Sequence, residues 1–205
     1  MKVQGLRHAP SGRKTLVSAK TDLLIEGFPR SANGWSIRVF DHWQSGTARI
    51  ARHEHSEAHV VAGCRLGVPV LVLLREPGDA IRSFLQRDPD IDPDRALRRW
   101  TRFYRVVEQV ADDVVIATFE QTTGDFGRVV QRLNARFGTA FHHGPTDEAL
   151  FRLVTGAMSR SSMPDPERRK GLAAIAVDFD PRRLAVARSL YERLAAMALA
   201  TETTR

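Results

Sequence analysis

The chain has 205 residues, 42% hydrophobic and 27% charged, which suits one globular domain with a real core and leaves little room for a second. A single cysteine, Cys64, rules out a disulfide framework within the chain, fits a reducing compartment and is expected to be simply buried. The net charge of +7, from 31 Lys+Arg against 24 Asp+Glu, favours an anionic partner: nucleic acid, acidic lipid or a polyanionic small molecule.

Residues 1–20 are basic and turn-rich and read as a solvated N-terminal arm, with a short strand near Thr15–Ser18. They lack the charged-then-apolar pattern of a signal peptide, and no apolar run approaches the ~20 residues of a membrane span. Cytoplasmic residence is the expectation. Residues 21–200 read as the domain and residues 201–205 as a frayed end.

Leu23, Leu24 and Ile25 form a short apolar run bounded by Thr21-Asp22 and by Gly27 and Pro29, as expected of a buried parallel strand. Arg30 to Gly34 are small or polar with one cation. A helix follows to about Trp43. A small-residue loop between a strand and a helix leaves backbone N–H groups free at the helix N-terminus, a ready place for a phosphate-like anion. Arg30 adds a fixed positive charge, and Ser31 and Asn33 add donors. A plain strand-to-helix turn with an exposed Arg stays open as the other reading. The Walker pattern is absent, which disfavours an ordinary nucleotide-triphosphate loop.

Ile50 and Ala51 predict a second short strand, with His53 and His55 on one of its faces. Ser56 is expected to cap a helix from Glu57 to Leu66, stopped by Gly67. Val68–Leu74 is the clearest buried strand. It ends at Arg75, and a helix carrying Ala80, Ile81, Phe84 and Leu85 follows. Residues 88–94 read as a loop, residues 94–110 as a long amphipathic helix, 113–119 as a strand and 120–124 as a turn. Helices are expected over 126–137, over 146–158 and from Pro181. Residues 159–171 read as a mobile polar loop.

Strands alternating with helices predict an α/β fold: a single three-layer domain whose mainly parallel central sheet is flanked by helices. Ligands in such sheets bind beyond the carboxyl ends of the strands. Arg30 and Arg75 both fall there, which points to a shared anion site between them.

Three separated motifs resemble those of sulfotransferases that use 3′-phosphoadenosine 5′-phosphosulfate (PAPS), and together they span most of the chain. Pro29-Arg-Ser-Ala-Asn-Gly-Trp35 resembles the family's 5′-phosphosulfate loop, P-[KR]-S-G-T-T-W. The resemblance implies that Arg30 meets the bridging and sulfonyl oxygens, that Ser31, Ala32, Asn33 and Gly34 cradle the 5′-phosphate, and that Trp35 packs by the adenine. Ala32 stands for the family's Gly, and Asn33 and Gly34 for its two Thr. Arg75-Glu-Pro-Gly-Asp-Ala-Ile-Arg-Ser83 resembles R-[ND]-P-x-D-x-x-x-S, which implies that Arg75 and Ser83 bind the 3′-phosphate. Arg169-Lys170-Gly171 resembles the R-K-G that closes over that phosphate. Ala117-Thr-Phe-Glu120 resembles a strand ending in Tyr-Glu, with Phe119 in place of Tyr.

The family's K-x-H places its base between the phosphate motifs. His53-Glu54-His55 is similar, with His55 on the base and His53 on the Lys. A P-loop-like sulfotransferase fold is implied, with PAPS as donor and adenosine 3′,5′-bisphosphate as product. The acceptor would be a small molecule or glycan, and the scheme requires no metal. Glu54, Glu57 and Glu120 are other conceivable bases.

Three rival readings stay open at this point. His53, His55 and His59 are a possible zinc set for a hydrolase. A nucleotide or sugar kinase would want a P-loop Lys and a Mg²⁺ ligand, neither of which is evident. Arg98, Arg99, Arg102 and Arg105 line one region of a helix, as in a basic nucleic-acid-binding module, but without a recognised nucleic-acid motif.

Overall fold

A computed structural model provides the structure of the protein and describes residues 15–156, 171, 172 and 175–203. Four strands, β1 (Leu23–Gly27), β2 (Ile50–Arg52), β3 (Val70–Leu74) and β4 (Val115–Thr118), form one parallel sheet in the order β2-β1-β3-β4. Register is set by Leu23 opposite Ile50, Leu24 opposite Val70, and Leu71 opposite Val115. The order reverses at β1: β2 lies on one side of it, and β3 and β4 on the other.

The described helices are α1 (Asn33–Trp43), α2 (Glu57–Arg65), α3 (Pro77–Arg87), α4 (Pro93–Gln109), α5 (Phe119–Gly124), α6 (Phe126–Phe137), α7 (Glu148–Thr155) and α8 (Pro181–Thr203). All residues of β1 and β3 are buried, as strands covered on both faces must be. Alternation then sorts their side chains into two cores. Leu24, Val70, Val72 and Leu74 pack with α2, α3, α4 and α8. Leu23, Ile25, Leu71 and Leu73 pack with α1, α6 and α7. The sheet is therefore the middle of three layers, as expected. Fully burying one such Leu or Val stabilises the fold by ~1.5–3 kcal/mol.

Gly27 has a steric reason. A Cβ there would lie 2.5 Å from the Leu73 carbonyl oxygen of the neighbouring strand, closer than any side chain allows.

Several boundaries differ from the sequence reading. The expected turn at 120–124 is helix α5. Thr118 and Gln121 form a reciprocal capping box that starts it, and this shortens the expected strand to Val115–Thr118. The third strand starts at Val70, although the Pro69 carbonyl already accepts from Leu24 N–H at 2.9 Å. α4 begins at Pro93 because the Asp92 side chain caps it, accepting from Arg95 N–H at 2.9 Å. α7 starts at Glu148, capped by Asp147, while Thr146 instead accepts from Phe126 N–H.

The expected strand near Thr15 is a single antiparallel bridge to Arg52. Residues 1–14 of the expected arm, and 159–170 of the expected loop, lie outside the described residues. Cys64 is half-buried and reduced, and burial pushes its thiol up. No described helix is long and apolar enough to cross a membrane.

Candidate functional site

The carboxyl ends of β1 and β3 lie side by side at the point where strand order reverses. In open α/β sheets, that crevice is where ligands bind. Here the first two motifs meet. The Arg75 Nη1 donates to the Arg30 carbonyl oxygen at 2.8 Å, and the Arg30 Nε donates to the Ser83 hydroxyl at 3.0 Å. Residues 45 and 53 positions apart in the chain are thus in direct contact.

The loop after β1 is shaped by two residues in the left-handed region, Arg30 at φ 71° and Ala32 at φ 68°. Ala32 occupies the position before α1, where a glycine would carry no Cβ penalty. The Ala32 side chain makes no capping bond to α1. Its first-turn N–H groups have no intrahelical acceptor, as at any helix start. The Asn33 side-chain amide donates to the Phe28 carbonyl at 3.0 Å, and Ser31 N–H reaches the same carbonyl at 3.3 Å. The loop therefore folds back on Phe28, with its amides around the helix start.

Arg75 is buried, at 7% exposure, and its guanidinium lies 4.1 Å from the centre of the Phe119 ring. Its own carbonyl accepts from the Trp100 indole at 3.2 Å. Tyr104, fully buried on α4, ties the two strand ends together. It donates to the Leu73 carbonyl at 2.6 Å and accepts from Phe28 N–H at 3.3 Å. Burial pushes the Tyr104 hydroxyl up, against the opposing pull of the Ser31 hydroxyl and the Phe28 N–H beside it. The hydroxyl stays protonated and can donate.

His55 also reaches the carboxyl end of β1, but not from a strand. β2 stops at Arg52, and His53 and His55 both adopt left-handed backbone, at φ 65° and 49°. The expected strand-face alternation is replaced by a tight loop whose two rings pack edge to face 5.8 Å apart. The His55 Nδ1 lies 2.7 Å from the Gly27 carbonyl oxygen. A carbonyl only accepts, so Nδ1 carries the proton and Nε2 of the neutral ring keeps its lone pair. The side chain is 22% exposed, so a substrate can reach it. His53 differs: burial, then repulsion from His55, Arg52 and Arg38, pulls its pKa to about 4.

His59 is engaged at both ring nitrogens. Nε2 accepts from Val17 N–H at 2.8 Å, and Nδ1 donates to Glu26 Oε1 at 2.9 Å. It has no lone pair left for zinc, so the three-imidazole centre fails on this residue. Among the described residues, no group of three or more His, Cys, Asp or Glu is arranged to hold a metal.

Trp35 is not at the loop surface. Its ring is 3% exposed and packs against Phe151 at 5.5 Å in the α1–α7 core. Gly171 is exposed, whereas Arg169 and Lys170 lie outside the described residues. On α4, Arg98 lies 3.8 Å from Asp94, Arg102 pairs with Glu57 at 2.8 Å, and Arg99 donates to the His55 carbonyl at 3.3 Å. Sequence reasoning missed Tyr104 and Glu26. A charged residue inside the apolar run Leu23-Leu24-Ile25-Glu26-Gly27 was the available signal for the second.

Comparison with family models and with curated proteins returned no match.

Proposed function

We propose that the chain is a PAPS-dependent sulfotransferase with a P-loop-like sulfotransferase fold, acting on a hydroxyl, or with lower preference an amine, of a small-molecule or glycan acceptor. The observation that carries this reading is the contact chain Arg75–Arg30–Ser83 across the β1/β3 crevice, which joins the two resembling phosphate motifs in one place.

The donor set suits a nucleotide with phosphates at both ends. Arg30, the Ala32–Gly34 amides and the start of α1 offer N–H groups and positive charge to the 5′ side, with Ser31, whose own N–H turns to the Phe28 carbonyl, proposed to line the loop. Arg75 and Ser83 offer a guanidinium and a hydroxyl to the 3′ side, and Arg169, Lys170 and Gly171 are proposed to complete it. Trp35 would support the adenine end from inside the core rather than by open stacking. The bound donor supplies an activated sulfonyl group with a phosphate leaving group.

The residues then divide the work. His55 Nε2 takes the acceptor's proton while Nδ1–H stays on the Gly27 carbonyl. Arg30 and the loop amides stabilise charge on the sulfonyl and leaving oxygens, and losing one such donor typically costs ~100-fold or more in rate. The scheme needs no metal, and the reaction suits a cytoplasmic enzyme, where the donor nucleotide would be met.

The test has two arms. Thermal shift with adenosine 3′,5′-bisphosphate beside ATP and adenosine 5′-monophosphate should show preference for the 3′-phosphorylated compound, and equal shifts would sink the donor assignment. Radiolabelled PAPS with a panel of acceptors should then show transfer. His55→Ala should lower turnover ~100- to 10,000-fold with donor affinity retained. Near-normal turnover would move the base to Glu54 or Glu120.

A further inference from the structure

Glu26 is a fully buried carboxylate in the middle of the sheet. Among the described residues it has no arginine or lysine in hydrogen-bond contact; its partners there are N–H groups. Oε1 accepts from the Glu54 N–H at 2.9 Å and from His59 Nδ1–H at 2.9 Å. Oε2 accepts from the His55 N–H at 3.0 Å and lies 3.8 Å from the His55 ring nitrogen Nδ1. Two consecutive backbone amides and a helix side chain therefore converge on one carboxylate.

These contacts account for the shape of the loop. Ser56 sits at the start of α2 but makes no capping bond, and the loop has two left-handed residues. Left-handed backbone persists only where the surroundings hold it. Glu26 helps to hold it through the Glu54 and His55 amides, beside the Gly27 carbonyl and Arg99, which also meet this loop.

We propose that Glu26 is a positioning residue that sets both the orientation and the basicity of the His55 imidazole. It fixes the backbone at residues 54 and 55, so that Nδ1 meets the Gly27 carbonyl. Its negative charge also favours the imidazolium that forms when Nε2 takes a proton. The opposing groups are His53, whose ring touches that of His55, and Arg52 next to it. From α4, Arg99 touches the His55 carbonyl and the Tyr104 hydroxyl feels the Glu26 charge. From α2, His59 shares the carboxylate as a neutral donor. The role of His55 as a base rests on the function proposed above; the coupling of Glu26 to His55 does not.

The experiment follows the His55 ring by NMR titration in the wild-type chain, Glu26→Gln and Glu26→Asp, with the signal assigned by its loss in His55→Gln. Glu26→Gln should lower the His55 midpoint by ~1 pH unit. Glu26→Asp, which keeps the charge, should restore most of it. Calorimetry with adenosine 3′,5′-bisphosphate should give the same affinity for all three. A merely structural role would lower thermal stability in both variants and leave the midpoint in place, and that result overturns the proposal. Should Glu26→Gln fail to fold, amide exchange in the wild-type chain decides: Glu54 and His55 amides should be protected, and rapid exchange of both overturns it. Absence of nucleotide binding with a shifted midpoint would refute the sulfotransferase reading and uphold this one.

Discussion

The Arg30 Nε donates to the Ser83 hydroxyl at 3.0 Å, so the loop after β1 and the second turn of α3 share a hydrogen bond across the crevice. The bond places the two ends of the proposed donor site in contact before any ligand arrives. Ser83→Ala should weaken adenosine 3′,5′-bisphosphate by ~10- to 100-fold, the range for a hydrogen bond to a charged group. Adenosine 5′-monophosphate should be affected far less. Titration calorimetry at fixed salt measures both, and an equal loss would remove Ser83 from the 3′-phosphate.

Arg75 does two things at once. It is proposed to bind phosphate, and it fastens the Arg30 carbonyl while its guanidinium covers Phe119. Arg75→Ala should therefore remove the preference for 3′-phosphorylated nucleotides and also destabilise the empty protein by about 2 kcal/mol or more. Arg75→Lys keeps the charge without the planar fork and should recover little of the stability. Urea unfolding without nucleotide would show it; an unchanged midpoint for Arg75→Ala would mean that the latch carries no weight.

His53 should make stability depend on pH. Its folded pKa, about 4, is below the ordinary 6.5, chiefly through burial. Between those values the unfolded chain holds the proton and the folded chain does not. Stability from the neutral ring is thus fully present above about pH 6.5, is lost as pH falls toward 4, and levels off below. His53→Gln should flatten this part of the pH–stability profile. A profile with the same slope in both proteins would locate the titration elsewhere.

Ala32 is a non-glycine residue at φ 68°, where the sulfotransferase motif that this loop resembles has glycine. The left-handed conformation costs an L-residue ~1–2 kcal/mol. Ala32→Gly should raise stability by about 1 kcal/mol, less what glycine adds to unfolded-chain freedom. Denaturant melts check the sign, and a loss of stability would show that the Cβ earns compensating contacts.

The parts legible in the sequence were those encoded by adjacent residues. The apolar run Val70–Leu74 announced a buried strand, and Arg30 and Arg75 announced themselves as cations just past strand ends. The hidden parts depend on partners far away in the chain. Nothing near Tyr104 says that its hydroxyl will meet Leu73 and Phe28, 31 and 76 residues distant. The loop at His53–His55 was read as a strand because alternation is a local rule. The carboxylate that bends it comes from a different strand, 28 and 29 residues earlier. Helix α5 was missed for a smaller reason: Thr118 and Gln121 have the spacing of a capping box, but the polar residues after them masked it.

The same strand that carries this loop lies at the margin of the sheet. β2 and β4 are its outer members, and an outer strand with open N–H and C=O groups is a template for pairing with another chain. Both are occupied. Thr15 exchanges two backbone hydrogen bonds with Arg52 on β2, at 3.1 and 2.9 Å, and Val17 is tethered to His59 beside it. On β4 the Arg132 guanidinium donates to the Ile116 carbonyl at 2.8 Å. The segment at Thr15–Val17 is thus a guard against self-association as well as a connection to the residues before it, and a chain lacking it would leave β2 open to strand addition.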